Sequence, residues 1–358
     1  MSCPQIIIDG RRLTRQATGV GRYLSLLLNQ WAIAPEQLPF QPIVKLHRPD
    51  NSSQGAWQSV IPSQTNGSRL PGLVWENLCL ATPADRHQPL FAPANLVPQR
   101  WRGPVVLVVH DTFAEYPDSG LSFMQRLQFR ARYRFAASRA NLILTPSEST
   151  AADVQTFFAV PQSRIRVLPP GLPACFRPDY QLWSENKELK EPFVLFVGKK
   201  SRRRHFDQLI QAVGSIRRKG YPLQLVAVGP KDNAERTYDY VNDLGHVPDD
   251  DLIRLYQRAI GLICPSTREG FGLPVLEAMA CGCPVVTIAK GAISEIAGDC
   301  CLSLQSPDAS DLETKIMSLL NSETLRQSLR EQGLERSRRF QVGQFASDVA
   351  AAIAEFCG

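Results

Sequence analysis

Two glutamates, Glu269 and Glu277, stand eight positions apart in the stretch Pro265–Pro284, with Gly270 and Gly272 between them and Pro274 just ahead of the second. Glycines let a ligand approach the backbone closely. Proline suits the first turn of a helix, where its missing N–H would be unpaired anyway. The spacing therefore puts Glu269 in a loop above a strand end and Glu277 about one turn into a helix. N–H groups at a helix start hold anions, phosphate above all, so this stretch suits a diphosphate flanked by hydroxylated rings. A second cluster, Lys199-Lys200-Ser201-Arg202-Arg203-Arg204, follows the apolar run Phe193–Val197. Fixed cations there can stabilise charge that develops on a phosphate. A third, Gly19-Val20-Gly21-Arg22, is read as the turn into a helix from about Arg22 to Trp31. Lastly, His110 and Asp111 end the uninterrupted run Val105–Val109.

These residues need strands and helices to hold them. Ile6–Asp9, Pro42–Leu46, Gly72–Trp75, Pro104–Val109, Asn141–Pro146 and Arg164–Leu168 read as strands of a first series, with helices over about 122–138 and 148–158. Gly55–Gly67 reads as a mobile loop, and the polar, proline-bounded residues 173–191 as a linker. A second series has strands Phe193–Val197, Gln224–Val228, Leu262–Cys264, Val285–Thr287 and Leu302–Leu304. Its helices fall near 205–218, 249–258, 274–281, 291–296, 308–321 and 323–339. Near-continuous apolar strands alternating with helices mean doubly wound parallel sheets. The expected fold is α/β, with two Rossmann-like domains facing a cleft: 1–172, a linker 173–191, 192–340, and a C-terminal helix, 341–358, packing back on the first domain. Ligands of such sheets bind at strand C-terminal ends, where all of the clusters above fall.

The length, 358 residues, exceeds the size at which single cores usually stop growing. The 44% hydrophobic content is that of an ordinary globular chain. No apolar run approaches the roughly 20 residues of a membrane span, and the N-terminus lacks the features of a signal peptide. A cytoplasmic location is expected, with contact at the inner face of the membrane as an option. Nine cysteines without a metal-ligand pattern read as reduced thiols. The net charge of +6 suits a phosphorylated substrate, an anionic membrane or nucleic acid, and does not choose among them. Asp249-Asp250-Asp251 reads as a helix start with Asp as its N-cap, so no metal and no cofactor is expected. Arg126, Arg130 and Arg134 recur at helical spacing beside Phe123, Leu127 and Phe135. The plain reading is a cationic solvent face over an apolar core face. The sharper one is a patch for anionic lipid headgroups.

The paired-glutamate block resembles the retaining glycosyltransferases of family 4, which have a two-Rossmann GT-B architecture. Further blocks agree in order, at 18–23, 108–111, 145–154, 165–178, 196–212 and 244–259, and the nearest likeness is to bacterial mannosyltransferase-like members. The resemblance implies transfer of a hexose, plausibly mannose, from a GDP- or UDP-sugar to a saccharide or lipid-linked acceptor, with configuration retained and no nucleic acid involved. It makes Glu277 the partner of the ribose hydroxyls and puts Glu269 on the transferred sugar. Arg204 and Lys199 would neutralise the leaving phosphate, with Arg203 beside them, and His205 stands where the family often has Asn. Gly270, Phe271, Gly272, Leu273 and Val247 would line the donor, with the nucleobase met by backbone. Gly19 and Gly21 would close over the diphosphate. His110 would orient the sugar and stabilise charge, and domain closure would bring it onto the donor. Asp111 and Arg22 would serve the acceptor, and Arg11, Arg12 and Arg15 could add charge nearby. The rivals are a nucleotide-sugar epimerase of the same architecture, and a non-catalytic protein that binds polyanions or sugar nucleotides.

Overall fold

The computed structural model describes residues 4–14, 19–47, 55–65, 70–117, 119–179, 192–230 and 238–357. The chain divides into two compact units. Unit 1 comprises Met1–Pro117, Leu121–Pro173 and Phe340–Gly358; unit 2 comprises Asp118–Gly120 and Ala174–Arg339.

Unit 1 is a parallel sheet of seven strands in the order β3-β2-β1-β4-β5-β6-β7. They are β1 Gln5–Asp9, β2 Gln41–Leu46, β3 Ser63–Thr65, β4 Leu90–Ala92, β5 Val105–Val108, β6 Leu142–Thr145 and β7 Ile165–Val167. Both faces are covered, as an unbroken apolar strand requires. Ile6 and Ile8 pack with α1 (Gly19–Trp31) on one side, while Ile7, Val105 and Leu107 face the opposite core. The intervening helices are α2 (Gly72–Trp75), α3 (Phe123–Arg139) and α4 (Glu148–Phe158). Helix α3 opens with a reciprocal capping box, Ser122 Oγ accepting from the Gln125 N–H and Gln125 Oε1 from the Ser122 N–H.

Unit 2 is a second parallel sheet, in the order β10-β9-β8-β11-β12-β13. Its strands are β8 Phe193–Val197, β9 Gln224–Val228, β10 Val241–Gly245, β11 Gly261–Cys264, β12 Val285–Thr287 and β13 Leu302–Ser303. Its helices are α5 Phe206–Arg218, α6 Asp249–Arg258, α7 Leu273–Ala280, α8 Ala292–Ala297, α9 Ala309–Asn321 and α10 Glu323–Ser337. The last helix, α11 (Val342–Cys357), belongs to unit 1, where the Trp31 indole Nε1–H donates to the Ala346 carbonyl at 2.9 Å.

Several expectations are corrected. Gly72–Trp75 is helical, and a π-helical turn, Glu76–Leu80, continues it; a short apolar run does not distinguish strand from helix, and Pro71 starts one here. Part of Gly55–Gly67 is anchored, because Trp57 is fully buried and Ser63–Thr65 is an edge strand; residues 66–69 lie outside the described residues. Helix α1 begins at Gly19 rather than at Arg22, so Gly19 and Gly21 lie in its first turn with Arg22 rather than before it. Pro248, not an aspartate, holds the N-cap position of α6, and Asp249–Asp251 form its first turn. Phe123 and Leu127 are exposed, at 75% and 52%, rather than packed in a core.

Candidate functional site

In an open parallel sheet, a crevice opens where the strand order reverses, because the loops there leave toward opposite faces. In unit 2 that point lies between β8 and β11. The basic loop leaves β8 and the Glu269 loop leaves β11, and the two meet. Arg204 engages Glu269 with two nitrogens: Nε lies 3.0 Å from Oε1, and Nη2 donates to Oε2 at 3.2 Å. Arg203 Nη1 lies 3.8 Å from Glu269 Oε2 and also bonds the Arg268 carbonyl. Arg204 Nη1 reaches back to the Val197 carbonyl at 3.4 Å, so the guanidinium lies across Gly198. A Cβ on Gly198, whose φ is +137°, would fall 1.4 Å from Arg204 Nη1.

The loop itself is a short 3-10 turn, Arg202–Arg204, ended by His205 in the left-handed conformation at φ 49°. His, like Asn, tolerates that conformation better than most residues. Of the two neighbouring lysines, Lys199 is exposed. Lys200 is half-buried, its Nζ 2.9 Å from Asp243 Oδ1 and 2.9 Å from the Pro230 carbonyl. It ties the end of β8 to β10.

Glu277 sits on α7 with only 2% exposure, and the Tyr256 hydroxyl donates to its Oε2 at 2.9 Å. Tyr256, on α6 and fully buried, is a contributor that the sequence does not signal, since it reads as an apolar position of an amphipathic helix. Burial strengthens any charge-assisted hydrogen bond the carboxylate makes. Gly272 precedes α7 at φ +104°, and a Cβ there would strike Ile293 Cδ1 at 2.4 Å. Gly270, Leu273 and Val247 are half-buried, and Phe271 is buried. Beneath the Arg204–Glu269 pair, burial and then Glu269 push the Cys264 thiol up to about 11, so it stays protonated and is no nucleophile.

Unit 1 holds a second group. His110 follows β5, and its Nε2 lies 2.7 Å from the Pro93 carbonyl. A carbonyl only accepts, so Nε2 carries the proton. The ring stacks edge-on against Tyr23, centroids 4.8 Å apart. Burial pushes its pKa down to about 4, against the opposing pull of the Pro93 carbonyl. A neutral imidazole can orient a hydroxyl and carries no positive charge of its own. Asp111 is half-buried and accepts from the Phe113 N–H at 3.4 Å. Asp153 steadies the same loop, accepting from Thr112 Oγ1 and from the Tyr116 hydroxyl, both at 2.6 Å.

Gly19 is exposed, Gly21 buried and Arg22 half-buried on α1. Arg12 is exposed, and Arg15 lies outside the described residues. Arg11 adds no net charge, because its guanidinium is clamped by buried Asp9 at 2.7 Å and buried Glu76 at 2.5 Å. Burial lowers its pKa, but the two carboxylates more than offset this and the net shift is upward. The arginines of α3 are also partly engaged: Arg130 and Arg134 lie 2.7 and 3.4 Å from buried Glu115, and Arg132 lies 3.0 Å from Glu76. Among the described residues, no group of three or more His, Cys, Asp or Glu side chains is placed to hold a metal ion. No helix there is long and apolar enough to cross a membrane.

Two tandem doubly wound parallel sheets, the second with a cation–carboxylate pair at its switch point, define a protein of the two-Rossmann glycosyltransferase class. Residues 179–336 match the family described as "Glycosyl transferases group 1", and residues 86–174 match "Glycosyltransferase Family 4". The chain belongs to these glycosyltransferases. It is 30% identical over 230 residues to the Escherichia coli O-antigen chain mannosyltransferase B, covering 56% of this chain and 57% of that protein. It is 27% identical over 226 residues to the MMP alpha-(1->4)-mannosyltransferase of Mycolicibacterium hassiacum, covering 60% and 53%. The chain thus spans about half the length of the relatives it matches. Among solved structures, sucrose-phosphate synthase from Thermosynechococcus elongatus superposes with a TM-score of 0.77 at 19% identity, covering 98% of both chains, which shows a shared fold.

Proposed function

We propose that this protein is a retaining hexosyltransferase that moves mannose from a nucleoside-diphosphate donor to a saccharide or lipid-linked acceptor. The observation that carries this is the Arg204–Glu269 pair at the switch point of unit 2, with Glu277 eight residues on and buried against Tyr256. Mannose is favoured by the two mannosyltransferase relatives. Arg204, with Lys199 and Arg203, takes the diphosphate, Glu269 holds sugar hydroxyls, and Glu277 holds the ribose. The bond from the anomeric carbon to phosphate oxygen breaks, and the electron pair goes to the diphosphate. The acceptor oxygen bonds to the anomeric carbon on the same face, and its proton passes to the departing diphosphate. His110 contributes orientation as a neutral ring. No metal or other cofactor takes part, and full activity in chelator is the expected result.

The decisive experiment pairs a thermal-shift screen of GDP, UDP and their sugars with turnover of Arg204→Ala. The pair is mostly buried, at 19% and 12% side-chain exposure, so leaving Glu269 without its cation also costs stability, up to about 3 kcal/mol, and the variant is assayed well below its Tm. Removing a cation from a developing phosphate charge costs about 10²-fold in kcat. A large fall in kcat in a variant that is still folded at the assay temperature supports the reading. Unchanged turnover removes Arg204 from the chemistry. Anomeric analysis of the product tests retention.

The acceptor side favours a surface. Phe123, Met124 and Leu127 are exposed at 75%, 60% and 52% at the start of α3, a helix with five arginines and no acidic residue. That combination suits the boundary of an anionic membrane.

A further inference from the structure

Asn95 stands just beyond β4, the strand next to β5. Three described non-glycine residues have positive φ, namely Asn95, Ala159 and His205, and of these only Asn95 is buried, at 7% exposure and φ 58°. Such a conformation persists only where the surroundings over-determine it. They do so here. The Asn95 N–H donates to the Val108 carbonyl at 3.1 Å. Its side-chain Oδ1 accepts from the His110 N–H at 2.8 Å, and its Nδ2 donates to the Asp111 carbonyl at 3.0 Å. Because one partner is an N–H and another a carbonyl, the amide has only one orientation that satisfies both. Two residues earlier, the Pro93 carbonyl takes the His110 Nε2–H. The segment 93–95 therefore grips the end of β5 at four points, two on backbone before and after His110, one on its own N–H and one on its ring. No described residue hydrogen-bonds His110 Nδ1.

We propose that Asn95 is the positioning residue that locks His110 at the strand end as its Nε2–H tautomer, leaving Nδ1 as the acceptor for a substrate hydroxyl. The substrate part rests on the glycosyltransferase reading, while the tautomer lock does not. Asn95 touches no reacting atom; it acts by fixing the backbone from which the ring hangs. A glycine at this position keeps the φ and loses the amide. An aspartate keeps the shape and the acceptor for the His110 N–H, but sets an oxygen against the Asp111 carbonyl.

The test is nitrogen NMR of histidine-labelled full-length protein, with His110 assigned among the five histidines by its loss in His110→Gln. The wild type should show a single Nε2–H tautomer down to about pH 5. In Asn95→Gly the two nitrogens should begin to average, and the midpoint should rise from about 4 toward the ordinary value. Transfer kinetics should show kcat lowered about tenfold with donor KM within a few-fold, as for a geometric rather than a binding defect. Asn95→Asp should behave in the same direction, and it serves if the glycine variant does not fold. Unchanged His110 signals in a folded variant overturn the proposal. If His110→Gln itself retains full transfer, the catalytic use of His110 is what fails, and the NMR result still decides the lock.

Discussion

At the scale of single residues, the site depends on what glycine and histidine permit. Gly198 leaves room for Arg204 to lie across the end of β8, and any Cβ would occupy the position of Nη1. Gly198→Ala is therefore expected to displace the guanidinium from Glu269 and lower kcat about 10²-fold, nearly as much as losing the arginine. Steady-state kinetics beside Arg204→Ala and the double variant check this; additive losses would show that Gly198 acts elsewhere. His110 carries a pH signature. Its folded pKa lies below its ordinary value, so as pH falls the unfolded chain takes up the proton first. Its contribution to stability is then complete above pH 7, declines from about 6.5 and levels below about 4. The gap corresponds to about 3 kcal/mol. The difference in unfolding free energy between wild type and His110→Gln should shrink across that window, and a flat difference would refute the shift. A basic run and a glycine-flanked acid at strand ends single out the neighbourhood of Arg204 and Glu269 in the sequence, and the resemblance picks Arg204 from the run. Tyr256 and Asn95 are not legible in this way. They act on residues 21 and 15 positions away, and nothing local distinguishes a tyrosine that holds a carboxylate from one that fills a core.

At the scale of elements, the long apolar strands and the amphipathic helices were readable, and several match to the residue, among them β8, β9, α4 and α6. The omissions have a common cause. Strand β4 has three residues, and β10, reading VNDLG, lies at a sheet edge with little apolar signal. Neither is specified by its own pattern; both are strands because a neighbour supplies the ladder. Helix α3 shows the opposite failure. Its arginines recur at helical spacing, but Phe123, Met124 and Leu127 are turned outward, and some of the arginines are spent on Glu115 and Glu76. If that tip meets anionic lipid, Phe123→Ser with Leu127→Ser should cut co-sedimentation with phosphatidylglycerol-rich vesicles about tenfold. Arg126→Gln should have a smaller effect, about 1 kcal/mol per charge, that vanishes in high salt. Equal binding by wild type and the double variant would exclude this surface.

At the scale of the molecule, the two sheets are built by one rule but closed differently. Unit 2 is completed by helices adjacent in sequence, whereas unit 1 needs α11, which arrives after the whole of unit 2. Phe345, Ala346, Val349 and Ile353 lie in the same core as Tyr23, Leu24, Leu27 and Trp31 of α1, and the Trp31 bond to Ala346 fixes the register of the two helices. A carboxylate at Val349, which has no solvent exposure, would be buried without a partner, at a cost of about 4 kcal/mol or more. That is a large part of the roughly 5–15 kcal/mol that holds a domain folded. Val349→Asp is therefore expected to unfold unit 1 selectively. Trp31, Trp57, Trp75 and Trp101 all belong to unit 1, so in a background where the fifth tryptophan is replaced, Trp183→Phe, the fluorescence reports that unit. Titration with GDP or UDP, whichever the wild type binds, reports unit 2. The expected outcome is an early fluorescence transition with nucleotide affinity kept within a few-fold. Loss of both together would mean that unit 2 does not hold the donor site by itself, and would move part of that site into unit 1.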